Sequence, residues 1–129
     1  MEPFETNLSL DLFLLRGLRR ELAAWLARIR VKGDVRDEII LATHEAAANA
    51  IEHARRGSEV TVRGVRDADK VIIVVANSGT WNEPRSSDES RGRGLALIKE
   101  VMSDLEIHVK SQRTVVRMRK DLSASHAEA

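Results

Sequence analysis

The sequence predicts an α+β domain, a two-layer sandwich of about three helices on one face of a mixed, mostly antiparallel sheet. Three observations carry that expectation. Apolar residues recur at three- and four-residue spacing in three separate stretches, and β-branched runs of strand length lie between and after them. The helices are interspersed without the regular alternation of βαβ units, and no internal repeat is present. With 129 residues the chain has material for a single core. Residues 1–120 are expected to form the domain and 121–129 a disordered tail.

Phe4 to Leu10 alternates loosely between apolar and polar residues and leads through Asp11 into a helix. From Leu12 to Ile29 the positions Leu14, Leu15, Leu18, Leu22, Trp25, Leu26 and Ile29 form one apolar stripe, and Gly33 is expected to end the segment. A second helix is expected from Asp34, a good N-cap, to about Arg56, with Gly57 at the C-terminal cap. Its stripe is Val35, Ile39, Ala42, Ala46 and Ala50. Glu59 to Val65 and Val71 to Ala76 flank the turn Asp67-Ala68-Asp69 and read as a hairpin whose second strand is buried. Asn77 to Arg93 is poor in apolar residues and long for a structureless connection, the usual mark of a functional lid or a disordered segment. Helical spacing returns at Leu95, Ile98, Val101 and Met102, and Leu105 to Val109 and Val115 to Met118 read as two final strands.

Composition removes several classes of function. Basic and acidic side chains, 21 against 20, nearly cancel, so bulk charge gives no grip on a phosphate backbone, and aromatics at 3% leave few surfaces for stacking bases. No direct nucleic-acid partner is expected. The absence of cysteine excludes disulfides, thiolate metal sites and a thiol nucleophile. No apolar run approaches the roughly 20 residues a membrane helix needs, and the acidic start Met1-Glu2-Pro3 is unlike a secretory leader. A cytoplasmic protein without a membrane partner is expected.

Chemistry concentrates in three places. On the second helix Glu45, Asn49 and His53 are spaced i, i+4, i+8 and share one side, among Ala46, Ala47, Ala48 and Ala50. Small side chains there suit either a ligand's close approach or tight packing of an alanine-rich helix on a sheet. Val74-Val75-Ala76-Asn77-Ser78-Gly79-Thr80-Trp81 sets an amide and a glycine at the end of a buried strand, where ligand crevices form but where a plain turn also fits. Gly92-Arg93-Gly94-Leu95 is expected just before a helix, where free N–H groups and the dipole favour an anion and Arg91 and Arg93 add charge. Glycine is equally what a flexible helix entry requires. His44, His108 and His126 have no metal-ligand spacing.

Taken in order, Glu45-Ala-Ala-Ala-Asn49-Ala50-Ile-Glu-His53-Ala54, Asn77-Ser-Gly79-Thr-Trp81-Asn-Glu-Pro84 and Gly92-Arg-Gly94-Leu95 resemble the boxes of the anti-sigma factor serine kinases. That family is a branch of the superfamily containing gyrase, the ninety-kilodalton heat-shock chaperone, sensor histidine kinases and mismatch-repair ATPases. The resemblance spans roughly residues 4 to 120. It implies a Bergerat-type ATP-binding fold with ATP and Mg2+ as cofactors. It implies Glu45 as general base and Asn49 as magnesium ligand. Asn77 would meet the adenine amino group, Gly79 would let the purine lie against the backbone, and the segment from Thr80 to Arg91 would form a lid. Arg91, Gly92, Arg93, Gly94 and Leu95 would surround the phosphates, and Thr114 would help shape the adenine pocket. His53 is often histidine in the family and is expected to hydrogen-bond at a helix end, and Trp81 to anchor the lid loop.

Two departures stand out. Asn77 replaces the family's aspartate, exchanging a charge-assisted hydrogen bond for a neutral one about half as strong, which lowers nucleotide affinity by around 1 kcal/mol or more. In Ser111-Gln112-Arg113-Thr114 the glycine that often precedes the threonine is missing. The resemblance implies an anti-sigma factor that phosphorylates a serine or threonine of an anti-anti-sigma partner and sequesters a sigma factor until that partner displaces it; it also implies homodimerisation. The rival reading is a non-catalytic binding module that has lost nucleotide chemistry through Asn77. A third, an ATP-binding domain from a larger sensor kinase or phosphatase, finds no phosphoacceptor-helix segment in this sequence.

Overall fold

The structure is a computed structural model that describes residues 2–78 and 89–122, with side chains from residue 94 in the second stretch. The elements run β1 (Phe4–Leu8), a 3-10 turn (Leu12–Leu14), α1 (Leu15–Arg28), α2 (Gly33–His53), β2 (Val60–Asp67), β3 (Lys70–Ser78), α3 (Glu89–Val101), β4 (Asp104–Lys110) and β5 (Arg113–Asp121). The sheet order is β1-β2-β3-β5-β4. Every neighbouring pair is antiparallel, so the expected mixed sheet is corrected to a wholly antiparallel one. The crossover from β3 to the edge strand β4 passes through α3, and β5 then returns by a tight turn between them. Ser111 and Gln112 both take positive φ in that turn, the shape that matches the twist of a two-residue hairpin.

Strand alternation decides which residues form the core. Val71, Ile73 and Val75 of β3 are buried, as are Val60 and Val62 of β2 and Val116 and Met118 of β5, and register aligns them into rows on one face. The helices cover that face. α1 contributes Leu15, Leu18, Leu22, Trp25 and Leu26, and α2 contributes Ile39, Ala42, Ala46, Ala47, Ala50 and Ile51. The alanines let α2 lie close to the strands, which decides in favour of tight packing for those four; Ala48 is only half-buried. Trp25 fills the space beside β1, stacked obliquely on Phe4 with ring centroids 5.7 Å apart and donating from Nε1 to the Glu2 carbonyl at 2.8 Å.

The expected boundaries shift for local reasons. The first helix opens with a 3-10 turn over Leu12–Leu14, where the Asp11 carboxylate accepts from the Phe13 N–H. It ends before Gly33, in a Schellman closure. Arg30 takes φ of 63° and donates to the Ala27 carbonyl, while Val31 donates to the Leu26 carbonyl and buries beside it. Asp34 is not the N-cap of α2. Gly33, at φ of 70°, turns the chain directly into the helix, and Asp34 stands in the first turn where its charge meets the dipole. α2 stops at His53 rather than Arg56, because the Arg55 N–H leaves the helix to bond the Ser78 carbonyl at the end of β3. The segment from Asn77 to Arg93 is not all loop: Asn77 and Ser78 belong to β3 and residues from Glu89 to α3. β5 extends through Asp121, and Leu122 donates to Asp69; residues 123–129 lie outside the described part. Among the described residues no helix is long and apolar enough to cross a membrane.

Candidate functional site

The polar stripe of α2 borders the buried alanine face. Glu45 and Asn49 are one turn apart and both half-buried, so each keeps contact with solvent while anchored on a helix that the core holds rigid. Rise along a helix separates them by about 6 Å, the reach needed for two groups to meet neighbouring parts of one ligand. His53, one turn beyond Asn49, closes the helix and is engaged in an interaction of its own.

Asn77 lies on β3 with 5% of its surface exposed, paired across the strands with Val60 on one side and Thr114 on the other. Thr114 is buried and engaged. Both side chains occupy positions that alternation gives to the helix-covered face, in the row where Val71, Ile73 and Val75 would lead one to expect a further aliphatic. An amide and a hydroxyl inside that face are hydrogen-bonding groups that folding by burial alone does not call for.

α3 supplies the third part. Gly92 and Gly94 were expected before a helix, and the structure corrects this: both lie within α3, whose side chains up to residue 93 are not described. Once Glu89 starts the helix, the following Ser, Arg and Gly residues carry no proline or β-branch to break it. Gly94 packs against α2, where a Cβ on it would stand 2.9 Å from Glu45 Oε2, so the carboxylate reaches the α3 backbone at this point. Leu95 is half-buried just after it. Arg91 and Arg93 fall on α3 by backbone alone, and Gly79, Trp81 and the rest of the expected lid from Thr80 to residue 88 lie outside the described residues, as does His126.

Sequence reasoning missed the other side of Glu45. Arg19 of α1 donates from Nη1 to His44 Nδ1 at 2.9 Å, which leaves the imidazole proton on Nε2. Burial, then the Arg19 charge, push the His44 pKa below its ordinary value, with the neighbouring Glu45 carboxylate opposing, so His44 is neutral. Arg19, Asp37, Ile40, Leu41, His44 and Glu45 line an open groove of about 430 Å³ between α1 and α2. No periodicity singles out Arg19, since Arg16 and Arg20 flank it on the same polar side; Leu41 was detectable as a leucine off the buried stripe.

Among the described residues no group of three or more His, Asp or Glu side chains converges as a metal cage. A single amide such as Asn49 suits Mg2+ carried by phosphate oxygens and water, the usual way that ion binds with few protein ligands. The half-buried acid and amide, the buried polar pair and the side-chain-free contact at Gly94 together fit a magnesium nucleotide.

Comparison with known proteins identifies the family. The family model described as "Histidine kinase-like ATPase domain" matches residues 8–120. A crystal structure of the RsbU and RsbW domains of Rv1364c from Mycobacterium tuberculosis is similar with a TM-score of 0.78 at 23% identity, over 95% of this chain and 33% of that one. A nucleotide-free catalytic domain of the histidine kinase ThkA is similar at 0.59 and 16% identity, over 98% of this chain and 99% of that one. This chain therefore spans a third of the Mycobacterium tuberculosis chain, and at these identities the likeness is one of fold.

Proposed function

The chain belongs to the histidine kinase-like ATPase domain family, whose members bind ATP, typically with Mg2+, and on that premise we propose that it is an anti-sigma factor with MgATP-dependent serine/threonine kinase activity toward an anti-anti-sigma protein. The observation that carries this reading is the meeting of the first and third boxes, with Glu45 Oε2 against Gly94. Bound MgATP supplies the phosphoryl group and the divalent charge that neutralises it. Glu45 would take the proton of the acceptor hydroxyl during phosphoryl transfer. Asn49 would hold the metal through its amide oxygen, and Asn77, beside Thr114, would accept from the adenine amino group. Gly79 lets the purine approach, and Arg91, Gly92, Arg93, Gly94 and Leu95 close on the phosphates. For the N–H groups of Gly92 to Gly94 to do so, the first turn of α3 must open, since in an intact helix they bond internally.

Partner switching follows from charge. A phosphate adds roughly two negative charges to the partner and disfavours its docking, leaving the sigma factor unopposed for the anti-sigma surface. Such partners place the protein in the cytoplasm, where it acts as a homodimer, with residues 1–120 as its ATP-binding domain and the last residues as a tail.

Incubating the purified chain with anti-anti-sigma protein, labelled ATP and magnesium tests the reading. Label should appear on a serine or threonine of the partner, and Glu45→Ala should lower the rate by about 10²-fold or more while nucleotide still binds. No transfer by the parent protein at saturating nucleotide, or an undiminished rate in the variant, refutes it. One observation favours a second reading. Asn77 sits 5% exposed with a neutral amide where charge would strengthen the adenine contact, which suits a non-catalytic module that binds sigma factor without ATP. Sigma binding that is unaffected by ATP, with no label transferred, selects that reading.

A further inference from the structure

Asn77 faces the helix layer with 5% of its surface exposed, and nothing around it gives its amide a fixed polarity. Val60 beside it and Val75 two residues earlier on β3 are aliphatic. The buried side chains of α2 are apolar except Thr43, which donates to the Ile39 carbonyl of its own helix at 2.8 Å. Among the described residues no hydrogen bond holds the Asn77 amide, and no buried side-chain nitrogen or oxygen is left without a partner, so its polar end meets the surface of the site. Thr114, on the other side, carries one donor and two acceptor sites and keeps capacity for a ligand beside the interaction it already makes. Val109, next in the row and 51% exposed, adds no polar group that would set a preference.

We propose that Asn77 reads position 6 of the purine with either end of its amide, so that the site takes 6-oxopurine nucleoside triphosphates, those of guanosine and inosine, as well as ATP. The inference rests on the reading above in placing the purine at Asn77. Adenine carries an amino donor at position 6, where a 6-oxopurine carries an acceptor oxygen. A carboxylate only accepts, so an aspartate at this position would bind the amino group and repel O6. An amide is not so committed. It offers Oδ1 to the adenine amino group or an Nδ2 hydrogen to O6, and a half turn about its last torsion exchanges the two ends with almost no change of shape. The ring nitrogen beside position 6 changes in the same sense, since N1 accepts in adenine and N1–H donates in a 6-oxopurine. One turn of the amide therefore matches either edge. Only a neighbour that fixes the amide would forbid that turn, and among the described residues none does.

Calorimetric titration of the full chain with Mg2+ and the triphosphates of adenosine, inosine, guanosine and purine riboside tests this, the last having neither donor nor acceptor at position 6. ITP and GTP should bind within about tenfold of ATP, the range of one neutral hydrogen bond, and purine riboside triphosphate at least about fivefold more weakly than ATP or ITP. Asn77→Asp should tighten ATP and weaken ITP and GTP by at least about tenfold, because a charged acceptor then faces O6. Circular dichroism checks the fold of that variant, and the ratio of ITP to ATP affinity in the parent chain decides the matter by itself where the variant does not fold. GTP bound less well than ITP assigns the difference to its 2-amino group and leaves the inference supported. ATP bound with both ITP and GTP beyond the tenfold range overturns the inference and leaves the kinase reading standing. Purine riboside triphosphate bound as tightly as ATP, or a folded Asn77→Asp with the selectivity of the parent, overturns it as well. Binding of none of the four overturns both.

Discussion

Near one end of the helix-covered face Gly64, Ile73 and Met118 form a cross-strand row beneath Trp25, while four residues farther along β3 Val60, Asn77 and Thr114 form another. The first row is settled by volume. A Cβ on Gly64 would stand 3.0 Å from both Ile73 Cδ1 and Trp25 Cη2, so the glycine is the space the indole occupies. The second row is equally buried but carries an amide and a hydroxyl, groups that cost free energy to bury and that a further valine would have avoided. The difference separates a row settled by packing from a row with buried polar groups, the one to which the proposed function assigns the adenine contacts.

Three variants break or sharpen that contrast. Trp25→Ala should cost about 3–5 kcal/mol of stability, read by urea denaturation, because it removes a fully buried indole with little room for collapse; a cost below 1 kcal/mol would mean that the first row is not closely packed. Asn77→Val should be neutral or stabilising by about 1 kcal/mol in the same titration, since it removes a buried amide, yet abolish nucleotide binding. Loss of stability with nucleotide affinity retained would reverse the roles assigned to the two rows. The smallest effect is expected at His44, which folds neutral with its pKa lowered by burial and by Arg19. Below the ordinary histidine pKa the unfolded chain takes up a proton that the folded one refuses. The contribution of His44 is therefore complete above that pH and is lost as pH falls toward the depressed folded value. His44→Gln should flatten this part of the stability profile, and an unchanged profile would show that folding does not hold the His44 pKa below its ordinary value.

Much of this was readable in advance where one physical rule dominates. The run Val71 to Ala76 can only be a strand buried on a face, and the spacing of Leu18, Leu22, Trp25 and Leu26 can only be a helix seated on it. The polar stripe of Glu45 and Asn49 was equally visible, because a carboxylate and an amide at i, i+4 stand out beside an alanine-rich buried face. Arg30 was not readable as a helix terminator. Its φ of 63° is disfavoured for arginine and is set by the burial of Val31 against Leu26, a tertiary cause. Gly92 and Gly94 were read as the entry to a helix, either an anion site or a flexible joint, whereas both lie inside α3 and Gly94 meets the Glu45 carboxylate of another helix. The pairing of Arg19 with His44 joins residues 25 apart and left no mark in either helix pattern.

The account depends most on α2 and the distant boxes converging on one magnesium nucleotide, and calorimetric titration of ATP with and without Mg2+ tests this directly. The parent chain should bind one ATP per protomer more tightly with Mg2+ than without, and Asn49→Ala should lose that magnesium-dependent gain while keeping its fold. Equal affinity with and without the metal, or a gain undiminished in Asn49→Ala, would contradict the account.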